Sequence, residues 1–377
     1  MRIFFPKETC PAETRVAAVP ATVARLARLG AEVEIGSGLG GTVHFSDGDF
    51  RAAGATIATD RVAALAAADA VLRLRQPPAE EIARLRRGCI HVSYLDPFNE
   101  PALVRQLAEA GVSAIAMEMI PRSTAAQKMD ALSSQASLGG YVAVLLAAEH
   151  SPHVFPMMMT PSGTIRPARV LVIGAGVAGL QAIATAKRLG AAVSAFDTRP
   201  AVEEQVRSLG AKFVKVDLGA IGQTAQGYAQ ALTTEQLERQ REAMAAECAE
   251  ADVVITTAQI FGKKAPVIVT AAMVEKMRAG SVIVDMAIES GGNVECARLD
   301  EAVNIGGVSV LGFANLPGRV AVTASQMYAN NLANLVEHFW NKDAKTFTLD
   351  PHDPLLAACL VTHGGAICHE SIRNLIP

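Results

Sequence analysis

Residues 168–199 read ARVLVIGAGVAGLQAIATAKRLGAAVSAFDTR, and their order decides the fold. The apolar run Val170 to Ile173 predicts a buried strand, and GAGVAG predicts a glycine turn. LQAIATAKRLG is a helix former that closes on Gly190, and AVSAF predicts a second strand ending at Asp197. Strand, glycine turn, helix, strand and acid together make a dinucleotide-binding βαβ unit. Gly174 permits the tight turn, and Gly176 lets backbone N–H groups approach a pyrophosphate. Gly179 lets the helix pack on the strand, while Val177 and Ala178 open a helix whose N-terminus presents positive dipole to phosphate. Asp197 stands about 20 residues past the glycines, where an acid accepts the adenosine ribose hydroxyls. Such a carboxylate repels the 2′-phosphate of NADP, so NAD(H) is the expected ligand of Gly174–Gly179, Asp197, Thr198 and Arg199. Arg199 has the chemistry to accept that phosphate, but reads here as a partner of Asp197 or a wall of the adenine pocket.

At 377 residues the chain has room for two domains and a substantial core. Hydrophobic residues make up 50% and charged ones 19%, in keeping with a soluble α/β protein. With a net charge of −3 and no basic run longer than RLRRG, nucleic acid is not an expected partner. Cys10, Cys89, Cys248, Cys296, Cys359 and Cys368 are scattered without a CxxC. That points to a reducing compartment and away from a disulfide framework or zinc site. His363, Cys368 and His369 fit no common metal spacing, and the intervening GGAI predicts a hairpin, so no metal is expected. The opening MRIFFPKE lacks a signal-peptide pattern, and no apolar stretch reaches the ~18 residues of a membrane span. The expectation is a cytoplasmic chain.

Outward from the βαβ unit, the first ~120 residues alternate strands and helices, which predicts a doubly wound parallel sheet. RIFFPKE, AEVEIG, DAVLRLR, CIHVSYL and SAIAMEMI read as strands. ATVARLARLG, FRAAGA, RVAALAAA, EEIARLRRG and PALVRQLAEAG read as helices, with TIATD a turn. The stretch from Ser123 to His150 is helix-forming almost throughout and reads as a connecting helix. PMMMTPSGTIRP predicts an exposed hairpin around Pro161-Ser162-Gly163, of the kind that packs on a second subunit. AKFVKV, DVVITTA, SVIVDMA and VSVLGF supply further strands of the βαβ domain, and SQMYANNLANLVEHFW is one long amphipathic helix returning to the first domain. The expected fold class is therefore α/β, with two Rossmann-like doubly wound parallel-sheet domains joined by long helices and a cleft between them. Residues 1–125 with 320–377 form the first domain, 126–150 the connecting helix and 151–319 the NAD(H)-binding domain. GSGLGG at Gly36 to Gly41 also matches GxGxxG after a strand, but the following TVHF is β-like and no helix opens at the third glycine. This copy reads as a non-binding glycine loop.

A second decisive stretch is MIPRSTAAQKMDALSSQASLGGYVAV, Met119 to Val144. It resembles the signature of the NAD(H)-binding component of proton-translocating nicotinamide nucleotide transhydrogenases. The resemblance extends over essentially the whole chain, through PKE…RVAAVP, FPMMMT, GVAGLQAIATAKRLGA, TTAQIFGKKAPVIVT, IVDMAIESGGN and THGGAI. In that family the loop matching Arg122 through Asp130 lies beside the nicotinamide. The resemblance thus implies that Arg122, Ser123, Thr124, Ala125, Gln127, Asp130 and Ser133 contact the cofactor, with Gln127, Asp130 and Arg122 at the reacting end. Arg122 offers a fork of donors toward a pyrophosphate or Asp130. Gln127 would touch the nicotinamide ribose and that of an incoming partner, and Asp130 and Ser133 would hold the carboxamide or orient Arg122. Thr257, Ala258 and Gln259 in TTAQ match further cofactor-binding positions. AQGYAQAL matches a mobile loop that folds over bound nucleotide, with Gly227 giving backbone freedom to Tyr228; the family often has two glycines where this chain has Gln226-Gly227.

Alanine dehydrogenases are similar too, including the PKE…RV opening with Arg15. Oxidative deamination needs proton-handling groups, and their histidine and lysine positions hold Asp96 and Arg75 here, with Glu289 matching a later acid. An arginine is no tunable amine, and an aspartate is no imidazole. Transhydrogenation needs neither, only two nicotinamide C4 atoms held roughly 3–3.5 Å apart. The resemblance implies hydride transfer between NADH here and NADP⁺ on a partner subunit, coupled to proton translocation. Its implied partners are a second copy of the chain, membrane-embedded proton-channel subunits and an NADP(H)-binding domain. The chain would sit in the cytoplasm, peripheral to the inner membrane, with the membrane components on separate chains. Alanine dehydrogenase-like chemistry and a non-catalytic NAD-binding scaffold stand as the alternatives.

Overall fold

A computed structural model describes residues 1–219 and 232–376. The chain forms two compact units, Met1–Gln135 with Gly318–Pro377, and Ala136–Pro317. Unit 1 opens with β1 (Arg2–Phe5), β2 (Glu32–Gly36), β3 (Thr56–Ala58), β4 (Ala70–Leu72), β5 (Ile90–Ser93) and β6 (Ser113–Ala116). Unit 2 contains β7 (Met158–Thr160), β8 (Gly163–Ile165), β9 (Arg169–Ile173), β10 (Ala192–Phe196), β11 (Lys212–Phe213), β12 (Val253–Thr256), β13 (Val282–Asp285), β14 (Ala302–Ile305) and β15 (Val308–Leu311). Back in unit 1 come β16 (Trp340–Asn341), β17 (Thr346–Phe347), β18 (Leu360–His363) and β19 (Ala366–Ile367).

The two large sheets share one winding. In unit 1 the order is β3-β2-β1-β4-β5-β6, parallel throughout, extended by β18 and β19 as antiparallel strands. In unit 2 it is β11-β10-β9-β12-β13-β15-β14, with only β14 antiparallel. In both, the chain winds outward from a first strand in one direction and then the other, so a topological switch point lies beside that strand. Helices cover the sheets, and the central strands are apolar along their length because both faces are buried. Val170, Leu171, Val172 and Ile173 of β9 are each at most 1% exposed.

Several local expectations change. TIATD contains a strand, β3, since pairing with β2 satisfies backbone groups that a turn would leave to water. TVHF is no strand: Leu39–Val43 is a 3-10 helix and His44 is left-handed (φ 64). AKFVKV pairs over only Lys212–Phe213, and β14 went unforeseen. The helix expected from Ser123 begins at Ala131, after a 3-10 turn at Gln127–Met129. Asp130 breaks the helical path at ψ 88, and its Oδ1 caps the helix by accepting the Ser133 N–H at 2.8 Å. Helix Ala131–His150 is apolar and long enough, by length and composition alone, to cross a membrane, with half of that window buried. Within unit 2 it packs as a core helix. A Cβ on Gly140 would lie 2.1 Å from the Ala178 carbonyl oxygen, so the glycine is what lets the two helices touch.

The hairpins expected at Pro161-Ser162-Gly163 and at GGAI both form, as β7–β8 and β18–β19. The former carries Met158 and Met159 at 44% and 81% exposure.

Candidate functional site

In unit 2 the glycine turn follows β9, and β9 lies between β10 and β12, at the switch point of the sheet. The three glycines are demanded by different things. Gly174 is left-handed (φ 98), and a Cβ there would meet Thr257 Oγ1 at 2.6 Å. On Gly179 a Cβ would lie 1.9 Å from the Gly174 carbonyl oxygen. At Gly176 a Cβ would meet no protein atom within 4 Å. The protein's own packing therefore explains the first and third glycines and not the second, which heads helix Val177–Arg188 as its N-cap. Helix N-termini leave N–H groups without intrahelical partners, so a bare backbone here suits an anionic ligand such as a pyrophosphate.

Asp197 follows β10, and its carboxylate holds the site together. Oδ2 accepts the Ala175 N–H at 2.7 Å, tying the acid to the glycine turn. The Arg199 guanidinium grips both oxygens, Nε to Oδ1 at 2.9 Å and Nη2 to Oδ2 at 2.8 Å. The Arg199 backbone N–H adds a bond to Oδ1 at 2.8 Å. Hydrogen bonding to Asp197 raises the Arg199 pKa further, so its charge is permanent. Thr198 is half-buried between them.

A third side is built by Thr257, Ala258 and Gln259 after β12. Thr257 Oγ1 donates to the Gly174 carbonyl at 3.0 Å, fixing this loop against the glycine turn. Ala258 is clamped by the Asn293 side chain, which accepts its N–H at 3.0 Å and donates to its carbonyl at 2.8 Å. Asn293 also donates to the Pro266 carbonyl at 2.8 Å. Asn293 is positioned in turn by Asp285 at the end of β13. That buried carboxylate accepts the N–H groups of Ala287, Asn293 and Val294 and the Thr256 hydroxyl at 2.8–3.1 Å. Burial pushes its carboxyl above the usual range, against the pull of those donors. Gln259 is exposed. Asp285, Asn293 and Gly140 lie in strings that mark the family resemblance, yet spacing alone assigns them no role, because their partners are distant in sequence.

Unit 1 carries the second set of expected residues. Ala126 and Met129 are fully buried and pin the loop. The Lys128 carbonyl accepts Nδ2 of Asn331 and of Asn334, at 3.0 and 2.8 Å, from helix Ala321–His338. Fixed in this way, the loop turns Ser123, Thr124, Ala125 and Gln127 outward, all exposed. Arg122, Asp130 and Ser133 are brought together: Arg122 Nε lies 3.9 Å from Asp130 Oδ2, which also accepts the Ser133 hydroxyl at 2.5 Å. Gly227 and Tyr228 lie outside the described residues.

The switch point of unit 1, beside β1 and β4, is occupied by ion pairs. Glu13 is bound by Arg15 through Nε at 2.7 Å and Nη2 at 2.8 Å, and by Arg75 Nε at 2.6 Å. Burial alone would raise the Glu13 carboxyl, but the Arg15 fork, aided by the Arg75 charge, holds it down at about 2. Arg15 Nη1 also donates to Gln135 Oε1 at 2.9 Å. Arg73, 1% exposed, pairs with Glu81 at 2.7 Å and Glu8 at 3.3 Å. Asp96 is exposed and left-handed (φ 48). Its N–H and that of Leu95 both bond Glu118 Oε1, and burial lifts Glu118 to about 7. In unit 2, Glu289 Oε2 accepts the Asn315 N–H at 3.1 Å. Among the described residues, no group of three or more His, Cys, Asp or Glu side chains is arranged to hold a metal.

Comparison with known proteins places these features in context. Residues 4–139 match the family described as alanine dehydrogenase/PNT, N-terminal domain, and residues 143–370 match its C-terminal domain. The chain is 44% identical to the first of the polypeptides that make up NAD(P) transhydrogenase subunit alpha in Rhodospirillum rubrum, over 99% of each chain. It is 31% identical to alanine dehydrogenase of Mycobacterium tuberculosis, over 99% of this chain and 96% of that one. The solved transhydrogenase structure from Sinorhizobium meliloti superposes with a TM-score of 0.85 at 41% identity, covering 98% of this chain and 100% of that one.

Proposed function

The chain belongs to the alanine dehydrogenase/PNT family, and from that membership we propose that it is the NAD(H)-binding subunit of an NAD(P) transhydrogenase. The observation that carries this reading is an asymmetry between the two switch points. Unit 2 keeps a bare backbone at Gly176, with Asp197 beside it. In unit 1 the positions where alanine dehydrogenases place a lysine and a histidine hold Arg75, paired with Glu13, and an exposed Asp96. Cofactor machinery is thus present, while tunable proton-transfer groups are replaced.

Gly174, Gly176, Val177, Ala178 and Gly179 would hold the pyrophosphate, and Asp197, Thr198 and Arg199 the adenosine ribose. Thr257, Ala258 and Gln259 complete the pocket, with Gly227 and Tyr228 as its lid. Bound NAD(H) supplies a hydride carrier. Arg122, Gln127, Asp130 and Ser133 orient the reacting end, Asp130 holding Arg122 and Ser133 while Gln127 stays exposed to meet a partner. Positioning of this kind carries the rate where no acid, base or metal is required. NADP(H) arrives on a separate subunit, and proton translocation belongs to membrane-embedded partners to which this chain docks peripherally. The exposed methionines of the β7–β8 hairpin favour a homodimer as the working unit.

Mixing the purified chain with an NADP(H)-binding partner domain tests the reading: NADH and an oxidised NADP analogue should exchange hydride only when both proteins are present. Gln127→Ala should lower that rate about tenfold or more with little change in thermal stability, since the side chain is exposed. Turnover of alanine or pyruvate without a partner would overturn it in favour of a dehydrogenase.

A further inference from the structure

We infer that Arg199 is an internal competitor for the ribose-binding acid and sets how strongly the site discriminates between NAD(H) and NADP(H). Four donors meet Asp197: the Ala175 N–H, the Arg199 N–H, and Arg199 Nε and Nη2, all within 2.7–2.9 Å. A carboxylate offers about four lone-pair positions, so the acid is saturated by its own chain. Ribose hydroxyls can reach it only by displacing some of this set. The two backbone donors belong to the glycine turn and to the start of the next turn, and cannot leave without refolding them. Arg199 Nε and Nη2 can leave by side-chain rotation. The guanidinium therefore stands where the hydroxyls must come.

The consequence for selectivity is a matter of sign. Alone, the Asp197 carboxylate would attract hydroxyl donors and repel a 2′-phosphate. Paired bidentately with Arg199, it presents a neutral couple to either ligand. Displaced from the acid, the same guanidinium is a fork suited to phosphate. Arg199 thus weakens binding of the preferred dinucleotide and softens rejection of the phosphorylated one. The side chains are 6% and 16% exposed, so solvent screens this pair only partly.

This inference rests on unit 2 being the NAD(H) site, and the test keeps the two apart. Calorimetric titration of the wild-type chain with NADH and with NADPH comes first; no heat with NADH removes the site itself. Given wild-type binding, Arg199→Ala should tighten NADH by about three- to tenfold and weaken NADPH by a similar factor. Asp197→Asn, which frees the guanidinium, should shift the ratio the opposite way. Arg199→Gln should move both affinities in the same direction as alanine, by less, and serves if the alanine variant does not fold. In wild-type protein with isotope-labelled arginine, the Arg199 Nε–H resonance, assigned by its loss in Arg199→Gln, should shift on NADH addition. An unmoved resonance, or equal loss of both nucleotides in the Arg199 variants, overturns the inference.

Discussion

Two glycine loops in this chain share one pattern and differ in everything that gives it meaning. Gly36–Gly41 follows β2, the second strand of its sheet, whereas Gly174–Gly179 follows β9, the first strand of its own. Only the latter lies at a switch point, where diverging crossovers leave room outside the strand ends. The unit 2 loop opens directly into the twelve-residue helix Val177–Arg188. Its unit 1 counterpart runs through a 3-10 turn into the six-residue helix Asp47–Ala52, and the Asp47 carboxylate bonds back to Gly38 N–H and the Ser37 hydroxyl, each at 2.8 Å. The switch point of unit 1 has no glycine turn; it has Glu13, Arg15, Arg75 and Arg73 in ion pairs. One sheet keeps its crevice lined by bare backbone, and the other fills it with charge.

The largest expected break in this contrast is Glu13→Gln. It leaves Arg15 buried without its carboxylate, and losing one partner of a buried pair costs about 3–5 kcal/mol. Hydrogen exchange followed by mass spectrometry should show unit 1 peptides losing protection while unit 2 peptides keep theirs. The pH dependence follows the same pair. The folded carboxyl, at about 2, lies below its ordinary 4.5, so the unfolded state binds more protons between these values. Unit 1 stability should therefore be full above pH 4.5 and fall as pH drops toward 2. Glu13→Gln should flatten that decline, and an unchanged acid limb would show that the pair does not control it.

Next in size is a matched pair at the third glycine of each loop. Gly179→Ala drives a Cβ to 1.9 Å from the Gly174 carbonyl, so stability should fall by about 1–3 kcal/mol and NADH binding should vanish. Gly41→Ala meets no atom within 4 Å and should stay within about 0.5 kcal/mol of wild type. Equal effects in thermal melts would erase the distinction between the loops. Gly176→Ala sharpens it: stability should change by about 1 kcal/mol or less, yet NADH affinity should drop about tenfold. Retained affinity would mean that no phosphate approaches this backbone. The smallest effect is expected from Asp47→Asn, on the exposed unit 1 loop, which should leave NADH affinity unaltered in the same titration.

Much of the fold was legible because consecutive residues encode it. β9, its turn, its helix and β10 follow one another along the chain, and their apolar periods and glycines report local geometry. Element edges were less legible: the helix expected from Ser123 starts at Ala131 because Asp130 commits its carboxylate to a cap, and β3 exists because β2 lies beside it. The loop Arg122–Asp130 could be named from its string, but not the buried Ala126 and Met129 that hold it.

By itself, the order of amino acids determined that this chain contains a dinucleotide-type βαβ unit, with an acid at the end of its second strand. Folding in three dimensions decided which of two similar glycine patterns stands at a sheet's switch point. It also decided that Asp197 is already saturated, and that Asp285 and Asn293 hold the loop after β12. The physical reason is separation along the chain: Asp197 meets its glycine turn across 22 residues, Thr256 meets Asp285 across 29, and Ala258 meets Asn293 across 35. Hydrogen bonds of that span leave no periodic trace in a sequence, because only the pairing of the strands brings their ends together.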